Sequence, residues 1–170
     1  GKTIFVGDTS VHEYPTSEQM AEIAISTARV VRLFGFEPKV AFVSHSTFGQ
    51  PLTSRTKHIR KAVDILKEKK VNFEFDGDMQ PDVALNSEYE ELYPFSKIVG
   101  KANILIMPGQ HSAAISYKMM KTLGDTKVIG PLLIGLGLPI EIAPLRSSTS
   151  ELINLASIAA YSSDVINYKK

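Results

Sequence analysis

Two kinds of apolar pattern alternate along this chain and limit the folds open to it. Short runs of β-branched, aliphatic and aromatic residues are followed by longer segments in which apolar residues recur every three or four positions. The first pattern is typical of buried strands and the second of amphipathic helices. Strands that alternate with helices form a parallel sheet, because each helix returns the chain to the edge where the next strand begins. We therefore predict an α/β domain with helices on both faces of a mostly parallel sheet.

The elements can be placed from these patterns and from residues that begin or end helices. The predicted strands are Thr3 to Val6, Lys39 to Val43, Val71 to Phe75 and Ala102 to Met107, and further apolar strands are expected between Ile129 and Pro144. The predicted helices run from Thr16 to Gly35, from about Thr53 to Lys70, through Ile115 and Met119 to Gly124, and from Ser148 to about Tyr161. Thr16 with Gln19, and Ser148 with Glu151, have the spacing of capping boxes.

Ligands of open parallel sheets bind beyond the carboxyl ends of the strands. The segments expected at those ends are Ser44 to Gln50, Asp76 to Gln80, Pro108 to Ser112 and Leu145 to Ser148. We expect these four segments to form the walls of one cleft.

Composition limits the class of partner. The 170 residues include 19 Lys and Arg against 18 Asp and Glu, and no cysteine. The even charge balance favours a small-molecule or protein partner over nucleic acid or a membrane surface. The absence of cysteine excludes disulfides and thiolate chemistry and fits a cytoplasmic protein. No signal peptide or membrane-spanning run is visible. From its length we expect a single domain, 1–170, and we interpret this domain as a fragment of a longer chain.

The corner that follows the last apolar stretch is the first candidate ligand site. Arg146 precedes three hydroxyl residues, and the helix beginning near Ser148 offers unpaired backbone N–H groups. A guanidinium beside a helix N-terminus suits a phosphate. The alternative is that Arg146 pairs with a surface carboxylate while the serines only cap the helix.

Other groups of polar residues have simpler interpretations. Ser44, Ser46 and Thr47 provide hydroxyls at a strand end, either for chemistry or as a hydrogen-bonded loop. The acidic residues Asp76, Asp78 and Asp82 lack the pattern of a calcium loop and indicate turns and helix caps. The four histidines lack the spacing of a zinc motif, and no Walker or dinucleotide loop is present. Met119 and Met120 are predicted to pack in the core.

Several long segments resemble a known family. They are YPTSEQMAEIAISTARVVRLFGFEPKVAFVSHSTFGQP, DGDMQPDVAL, KANILIMPGQHSAAISYKMMKTLG and IGPLLIGLGLPIEI. In this order they resemble the C-terminal half of phosphate acetyltransferases, and more closely still the phosphotransacetylase-like domain at the C-terminus of large bacterial malic enzymes. The resemblance implies a three-layer α/β/α fold of the isocitrate/isopropylmalate dehydrogenase-like kind, of which this chain is the second lobe.

The resemblance also implies two possible functions. The transferases move an acetyl group between acetyl phosphate and coenzyme A. Resemblance to the malic enzymes implies a domain that binds acetyl-CoA and regulates an N-terminal part, which oxidatively decarboxylates malate to pyruvate with NADP and Mg²⁺ or Mn²⁺. Family members form dimers through this lobe, so a homodimer or higher oligomer is expected, together with malic enzyme domains in the same chain. A domain kept only for assembly is a third possibility.

Departures from the family pattern favour regulation over catalysis. Active transferases carry a Ser-Arg-Gly-Cys-Ser corner at the acetyl-transfer centre, where this chain has Leu145, Arg146 and Ser147. Leucine can neither accept a proton nor hydrogen-bond an oxyanion, so no catalytic residue is assigned here. Glu151 matches the family's aspartate, and Ala114 replaces an asparagine ahead of Tyr117 and Lys118. The residues expected to bind acyl-CoA or phosphate are Ser44, Ser46, Thr47, Gln80, Tyr117, Arg146 and Ser148, with no metal ligand and no cofactor within the domain.

Overall fold

The structure, a computed structural model, describes residues 2–8, 10–124, 126–136 and 138–167, with side chains as far as residue 162. It forms two compact units, Gly1–Ile115 and Ser116–Lys170. The first unit contains the sheet and most of the helices. The prediction of a single domain remains a prediction.

A four-stranded parallel sheet organises the first unit. Its strands are β1 (Phe5–Gly7), β2 (Lys39–Val43), β3 (Glu74–Met79) and β4 (Ile104–Ile106). They lie in the order β1-β4-β2-β3, and all neighbours are parallel. The helices are α1 (Ser17–Leu33), α2 (Ser54–Glu68), α3 (Pro81–Leu85), α4 (Gln110–Leu123) and α5 (Thr149–Asn167), with a 3₁₀ turn at Ser87–Tyr89. The predicted α/β fold with a mostly parallel sheet is confirmed.

Successive residues of β2 point to opposite faces of the sheet, because side chains alternate along a strand. Val40 and Phe42 pack against α1 and α2, in a cluster with Met20, Ile59 and Leu66. Ala41 and Val43 face a second cluster, which includes Met79, Ala84 of α3 and Ala113 of α4. Both faces of this strand are therefore buried, as expected for the interior of a parallel sheet.

The starts of the first two long helices are set by local side-chain hydrogen bonds. Thr16 caps α1 in a reciprocal capping box with Gln19, as predicted. Thr53 caps α2 in the same way with Thr56. Each pair satisfies backbone N–H groups that have no partner within the helix.

The third strand begins later than predicted. The sequence indicated a strand from Val71 to Phe75 followed by turns, whereas β3 continues through Asp76 and Asp78 to Met79. Acidic residues are disfavoured in strands, but here their carboxylates find partners in neighbouring segments. Both Asp76 oxygens accept backbone N–H groups, from Gly77 at 2.9 Å and from Lys97 at 2.8 Å.

The predicted strands between Ile129 and Pro144 are wrong. Within residues 126–136 and 138–148, no strand is present; Gly137 lies outside the described residues. Prolines at 131, 139 and 144 lack the N–H that a sheet ladder requires, which opposes a strand here. The helix that follows begins at Thr149 and continues beyond the predicted end at Tyr161.

The methionines of α4 are also not core residues. Met119 and Met120 are 54% and 44% exposed. Ala113 is the buried residue of α4 among those described. Residues 118–123 of α4 are exposed, so the apolar side chains of its later turns lie at the surface.

Gly77 tests how closely β3 approaches β2. Its φ of +150° is rarely adopted by other residues, and a Cβ there would lie 2.7 Å from the Phe42 carbonyl oxygen. We expect Gly77→Ala to lower the free energy of unfolding by about 3 kcal/mol, from backbone strain and overpacking together. Urea denaturation measures this change.

Gly35→Ala is the matched control, because Gly35 has a φ of +82° but no heavy atom within 4 Å of a built Cβ. It should cost about 1 kcal/mol, from the backbone conformation alone. Equal losses in the two variants would contradict the close approach at Gly77.

Candidate functional site

The loop that follows β2 contains three of the predicted site residues. Ser44, Ser46 and Thr47 are buried, while His45 is exposed. The two serine Oγ atoms lie 3.5 Å apart. Of the four segments predicted as cleft walls, Ser44 to Gln50 is a loop at the carboxyl end of a strand, as expected.

Gln80 joins this loop from the end of the adjacent strand β3. Its backbone N–H donates to Thr47 Oγ1 at 3.2 Å, and its side-chain Nε2 donates to the His45 carbonyl oxygen at 2.8 Å. The structure therefore brings together Ser44, Ser46, Thr47 and Gln80. They meet because β2 and β3 are neighbours and parallel, so their carboxyl ends lie at the same edge.

Asp78 holds the loop Ser44 to Gln50, called the serine loop below, in place, and the sequence did not identify Asp78 as a site residue. Its side chain is fully buried, and Oδ2 accepts hydrogen bonds from Ser46 Oγ and, at 3.4 Å, from the Gly49 N–H. Its backbone carbonyl accepts from the Phe48 N–H at 2.6 Å. The sequence assigned Asp76, Asp78 and Asp82 to turns and helix caps. Asp82 does lie in the first turn of α3, but the assignment is wrong for Asp76 and Asp78, which lie in β3, and Asp78 bonds to a loop about thirty residues away.

The second oxygen of Asp78 has no hydrogen-bond partner among the described residues. A buried carboxylate requires hydrogen-bond donors to offset the loss of water. Among the described residues, Ser46 Oγ and the Gly49 N–H are the donors to the Asp78 side chain, and both bond to Oδ2. The serine loop cannot move away from Asp78 without leaving that carboxylate without hydrogen bonds.

Tyr117, Arg146 and Ser148 belong to the second unit. Tyr117 is half-buried in α4, with the Lys118 ammonium 6.0 Å from its ring centre. Arg146 is exposed and forms no ion pair with any carboxylate in the described ranges. The predicted alternative, in which Arg146 pairs with a surface carboxylate, is therefore not observed within those ranges. Leu145 beside it is also fully exposed.

The predicted capping box at the start of α5 is confirmed. Glu151 Oε2 accepts from the Ser148 N–H at 2.7 Å, and Ser148 Oγ accepts from the Glu151 N–H at 3.3 Å. Lys121 donates to the other Glu151 oxygen at 2.9 Å. The Ser148 backbone donor, Lys121 and the Ser148 hydroxyl together lower the pKa of Glu151 to about 2. Ser148 is thus committed to the helix start.

Two hollows lie near these elements, and neither is a preformed ligand pocket around the predicted residues. A cavity of about 10 Å³ beside the start of α5, lined in part by Ser147 and Glu151, is no larger than a water molecule. A shallow hollow of about 470 Å³ is lined by residues from Val71 to Phe75, at the opposite end of β3 from the serine loop. It contains none of the predicted site residues.

The remaining predicted walls differ from expectation. Ser112 lies within α4, with its hydroxyl donating to the Gly109 carbonyl, so Pro108 to Ser112 is only partly a loop. Asp76 to Met79 is strand, and Leu145 to Ser148 does not follow one.

Among the described residues, no group of three or more His, Asp or Glu side chains could hold a metal ion. No helix in those ranges is long and apolar enough to cross a membrane.

Comparison with known proteins identifies the family. The family model described as phosphate acetyl/butaryl transferase matches residues 1–160. The chain belongs to this family.

Relatives of two kinds match the chain. It is 49% identical over 161 residues to an NADP-dependent malic enzyme of Rhizobium meliloti, covering 95% of the chain and 21% of that protein. It is 36% identical over 154 residues to a phosphate acetyltransferase of Bacillus subtilis, covering 90% of the chain and 48% of that protein. The chain thus spans between a fifth and a half of the length of these relatives.

A solved structure agrees with the fold. The chain matches a phosphotransacetylase from Streptococcus pyogenes with a TM-score of 0.88 and 32% identity, over 94% of this chain and 49% of that one. The predicted resemblance is therefore confirmed at the level of the family and of the α/β fold.

The buried carboxylate gives a stability prediction. Asp78→Ala leaves the Gly49 N–H buried without an acceptor and the Ser46 hydroxyl with only its long 3.5 Å contact to Ser44 Oγ, so we expect a loss of about 3 kcal/mol in the free energy of unfolding. Amide hydrogen exchange at Phe48 and Gly49 should also accelerate, because the loop loses its fixed partner. Asp64→Ala removes an exposed carboxylate from its pair with Lys67 and should change stability by less than about 0.5 kcal/mol. Unchanged exchange in Asp78→Ala would contradict the role assigned to this side chain.

The cap of α5 gives a prediction on pH. Because the folded pKa of Glu151 is about 2, below its ordinary value, the cap contributes fully above pH about 4.5 and is lost as the pH falls toward 2. A carboxyl-detected NMR titration should find that low pKa. Lys121→Gln and Ser148→Ala should each raise it in part, while the Ser148 backbone donor still holds it below the ordinary value. An ordinary pKa in the unaltered chain would contradict the reciprocal cap.

Proposed function

We propose that this chain is a regulatory module that binds acetyl-CoA, or a related acyl-CoA, without transforming it, within a longer protein similar to NADP-dependent malic enzymes. The observation that carries the proposal is the 49% identity to a malic enzyme over nearly the whole chain but only about a fifth of that relative. A segment so similar and so short relative to that protein fits an accessory part better than a whole enzyme.

The proposed parent decarboxylates malate oxidatively to pyruvate outside this chain. NADP and a divalent Mg²⁺ or Mn²⁺ would bind in those other domains, and acetyl-CoA would act here as the effector. The module would also contribute to a homodimer or larger oligomer in the cytoplasm. Its fold would be of the three-layer isocitrate/isopropylmalate dehydrogenase-like kind, as the resemblance implies.

The corner at Leu145 and Arg146 supports binding without turnover. Arg146 is exposed and has no carboxylate partner in the described ranges, so its guanidinium is available for a phosphate or a thioester oxygen. Leu145 projects fully into solvent and has no group that can transfer a proton. The corner can therefore attract an anionic ligand but lacks the hydroxyl that the transferase pattern requires.

Within the first unit, buried hydroxyls of the loop Ser44 to Gln50 suit the amide-rich arm of an acyl-CoA. Ser44 and Thr47 lie at the carboxyl edge of the sheet, the edge at which open α/β sheets bind ligands. Gln80 is half-buried beside them, with its amide held by the His45 carbonyl. A fixed amide of this kind is pre-organised for hydrogen bonding.

Isothermal titration calorimetry of this chain tests the proposal. We expect acetyl-CoA to bind, and Arg146→Gln to weaken binding about tenfold or more, because a charge-assisted pair is lost. Arg29→Gln is the matched control, since Arg29 is an exposed arginine on α1 outside the candidate site, and it should leave the dissociation constant unchanged. Absence of heat at millimolar acetyl-CoA would contradict the binding role.

Regulation is tested separately in the longer protein. If acetyl-CoA and malate sites are coupled, acetyl-CoA must shift the affinity for malate or NADP, and malate must shift the affinity for acetyl-CoA by the same factor. Binding in this chain with no such shift would leave a ligand site without a regulatory function.

A second candidate is an active phosphate acetyltransferase, which converts acetyl-CoA and phosphate into acetyl phosphate and CoA. The similarity to the Bacillus subtilis enzyme and to the Streptococcus pyogenes structure favours it. An assay of acetyl phosphate formation by the longer protein separates the two candidates. Turnover that depends on Arg146 would establish catalysis, whereas turnover gained only in Leu145→Ser would support the regulatory proposal.

A further inference from the structure

Three aromatic rings cluster beside the serine loop, and none of them belongs to the predicted site residues. Phe48 lies in the loop itself, with its ring centre 4.8 Å from that of Phe95 and 5.5 Å from that of Tyr93. The Tyr93 and Phe95 centres are 6.1 Å apart, in an edge-to-face arrangement. All three residues belong to the first unit. We call this group the aromatic cluster.

The aromatic cluster is both fixed and open to solvent. Phe48 has a φ of +50°, a conformation that bulky residues rarely adopt, and its N–H is held by the Asp78 carbonyl. Phe95 remains 63% exposed, so much of its ring surface is accessible. A rigid base with an accessible ring is what a planar ligand requires for stacking.

A guanidinium packs on the residue next to Phe48. Arg60 of α2 places Nη1 2.6 Å from the point where a Cβ on Gly49 would lie, so Gly49 leaves room for it. Arg60 is exposed and forms no ion pair or side-chain hydrogen bond with any residue in the described ranges. An unpaired guanidinium next to the loop that carries Phe48, whose ring contacts the exposed Phe95, combines a cation for a phosphate with a surface for a base.

We propose that the aromatic cluster and Arg60 form the nucleotide end of the acyl-CoA site. The adenine ring would stack on Phe95, supported from behind by Phe48 and Tyr93, and a phosphate of the same nucleotide would pair with Arg60. The identity of the ligand rests on the proposed function, but the nucleotide site can be tested without it. The amide-rich arm of the ligand would then lie toward Ser44, Thr47 and Gln80 on the same loop edge.

Charge and shape favour a phosphorylated purine over a purely apolar partner. A cluster that served only to bury apolar surface would not leave Phe95 63% exposed. Coenzyme A carries its adenine and its phosphates within one compact nucleotide. The loop likewise holds the two matching features on consecutive residues, because Phe48 belongs to the aromatic cluster and Arg60 contacts Gly49.

The experiment titrates this chain with two halves of coenzyme A, adenosine bisphosphate and phosphopantetheine, and with acetyl-CoA. We expect Phe95→Ala to weaken adenosine bisphosphate and acetyl-CoA about tenfold and to leave phosphopantetheine unchanged, because only stacking is lost. Phe95→Tyr should retain the affinity. Arg60→Gln should weaken adenosine bisphosphate and reduce the dependence of its affinity on salt.

Phe36→Ala is the control for an exposed aromatic ring, since Phe36 precedes β2 at the opposite end of the strand from the serine loop. Thermal unfolding of each variant checks that the chain still folds. The inference is wrong, even where acetyl-CoA binds, if adenosine bisphosphate does not bind to the unaltered chain. It is also wrong if Phe95→Ala and Arg60→Gln bind adenosine bisphosphate as tightly as the unaltered chain does. If adenosine bisphosphate binds through Phe95 while acetyl-CoA does not, the nucleotide site stands and the proposed function is wrong.

Discussion

One buried carboxylate determines the shape of the candidate site in the first unit. Asp78 is removed from water, and its donors come from the loop Ser44 to Gln50. In a medium of low dielectric constant, such a group is tolerated only with its donors in place. The hydroxyls of the loop, the Gln80 amide beside them and the Phe48 ring therefore occupy fixed positions.

The parts of the fold that depend on local chemistry were predictable from the sequence. Capping boxes at Thr16 and Ser148 specify helix starts through residues three positions apart, and both are present. The strand Lys39–Val43 coincides with its prediction because both of its faces are buried and Val40 to Val43 are all apolar. In these segments local preference and tertiary packing favour the same structure.

The errors arose where distant partners outweigh local preference. Asp76 and Asp78 indicate a turn by composition, yet each lies in a strand, where a donor from another segment bonds to one oxygen of its carboxylate. The error after Ile129 has a local cause instead, because the run has the apolar composition of strands but its prolines lack the N–H that a sheet ladder requires. The cluster of Phe48, Tyr93 and Phe95 could not be anticipated either, since its members meet only when the loop after β2 packs on a segment some forty-five residues later. The roles of Ser44, Ser46, Thr47, Gln80, Tyr117, Arg146 and Ser148 in binding remain predictions.

The left-handed backbone at Phe48 exposes a conflict between stability and ligand recognition. Glycine adopts that conformation without steric cost, whereas phenylalanine pays about 1 kcal/mol or more to remain there. A chain optimised only for folding would therefore carry glycine at this position, and it would lose the ring against which Phe95 packs. An engineer who stabilises this loop by relaxing its backbone should expect a firmer scaffold with a poorer surface for a purine.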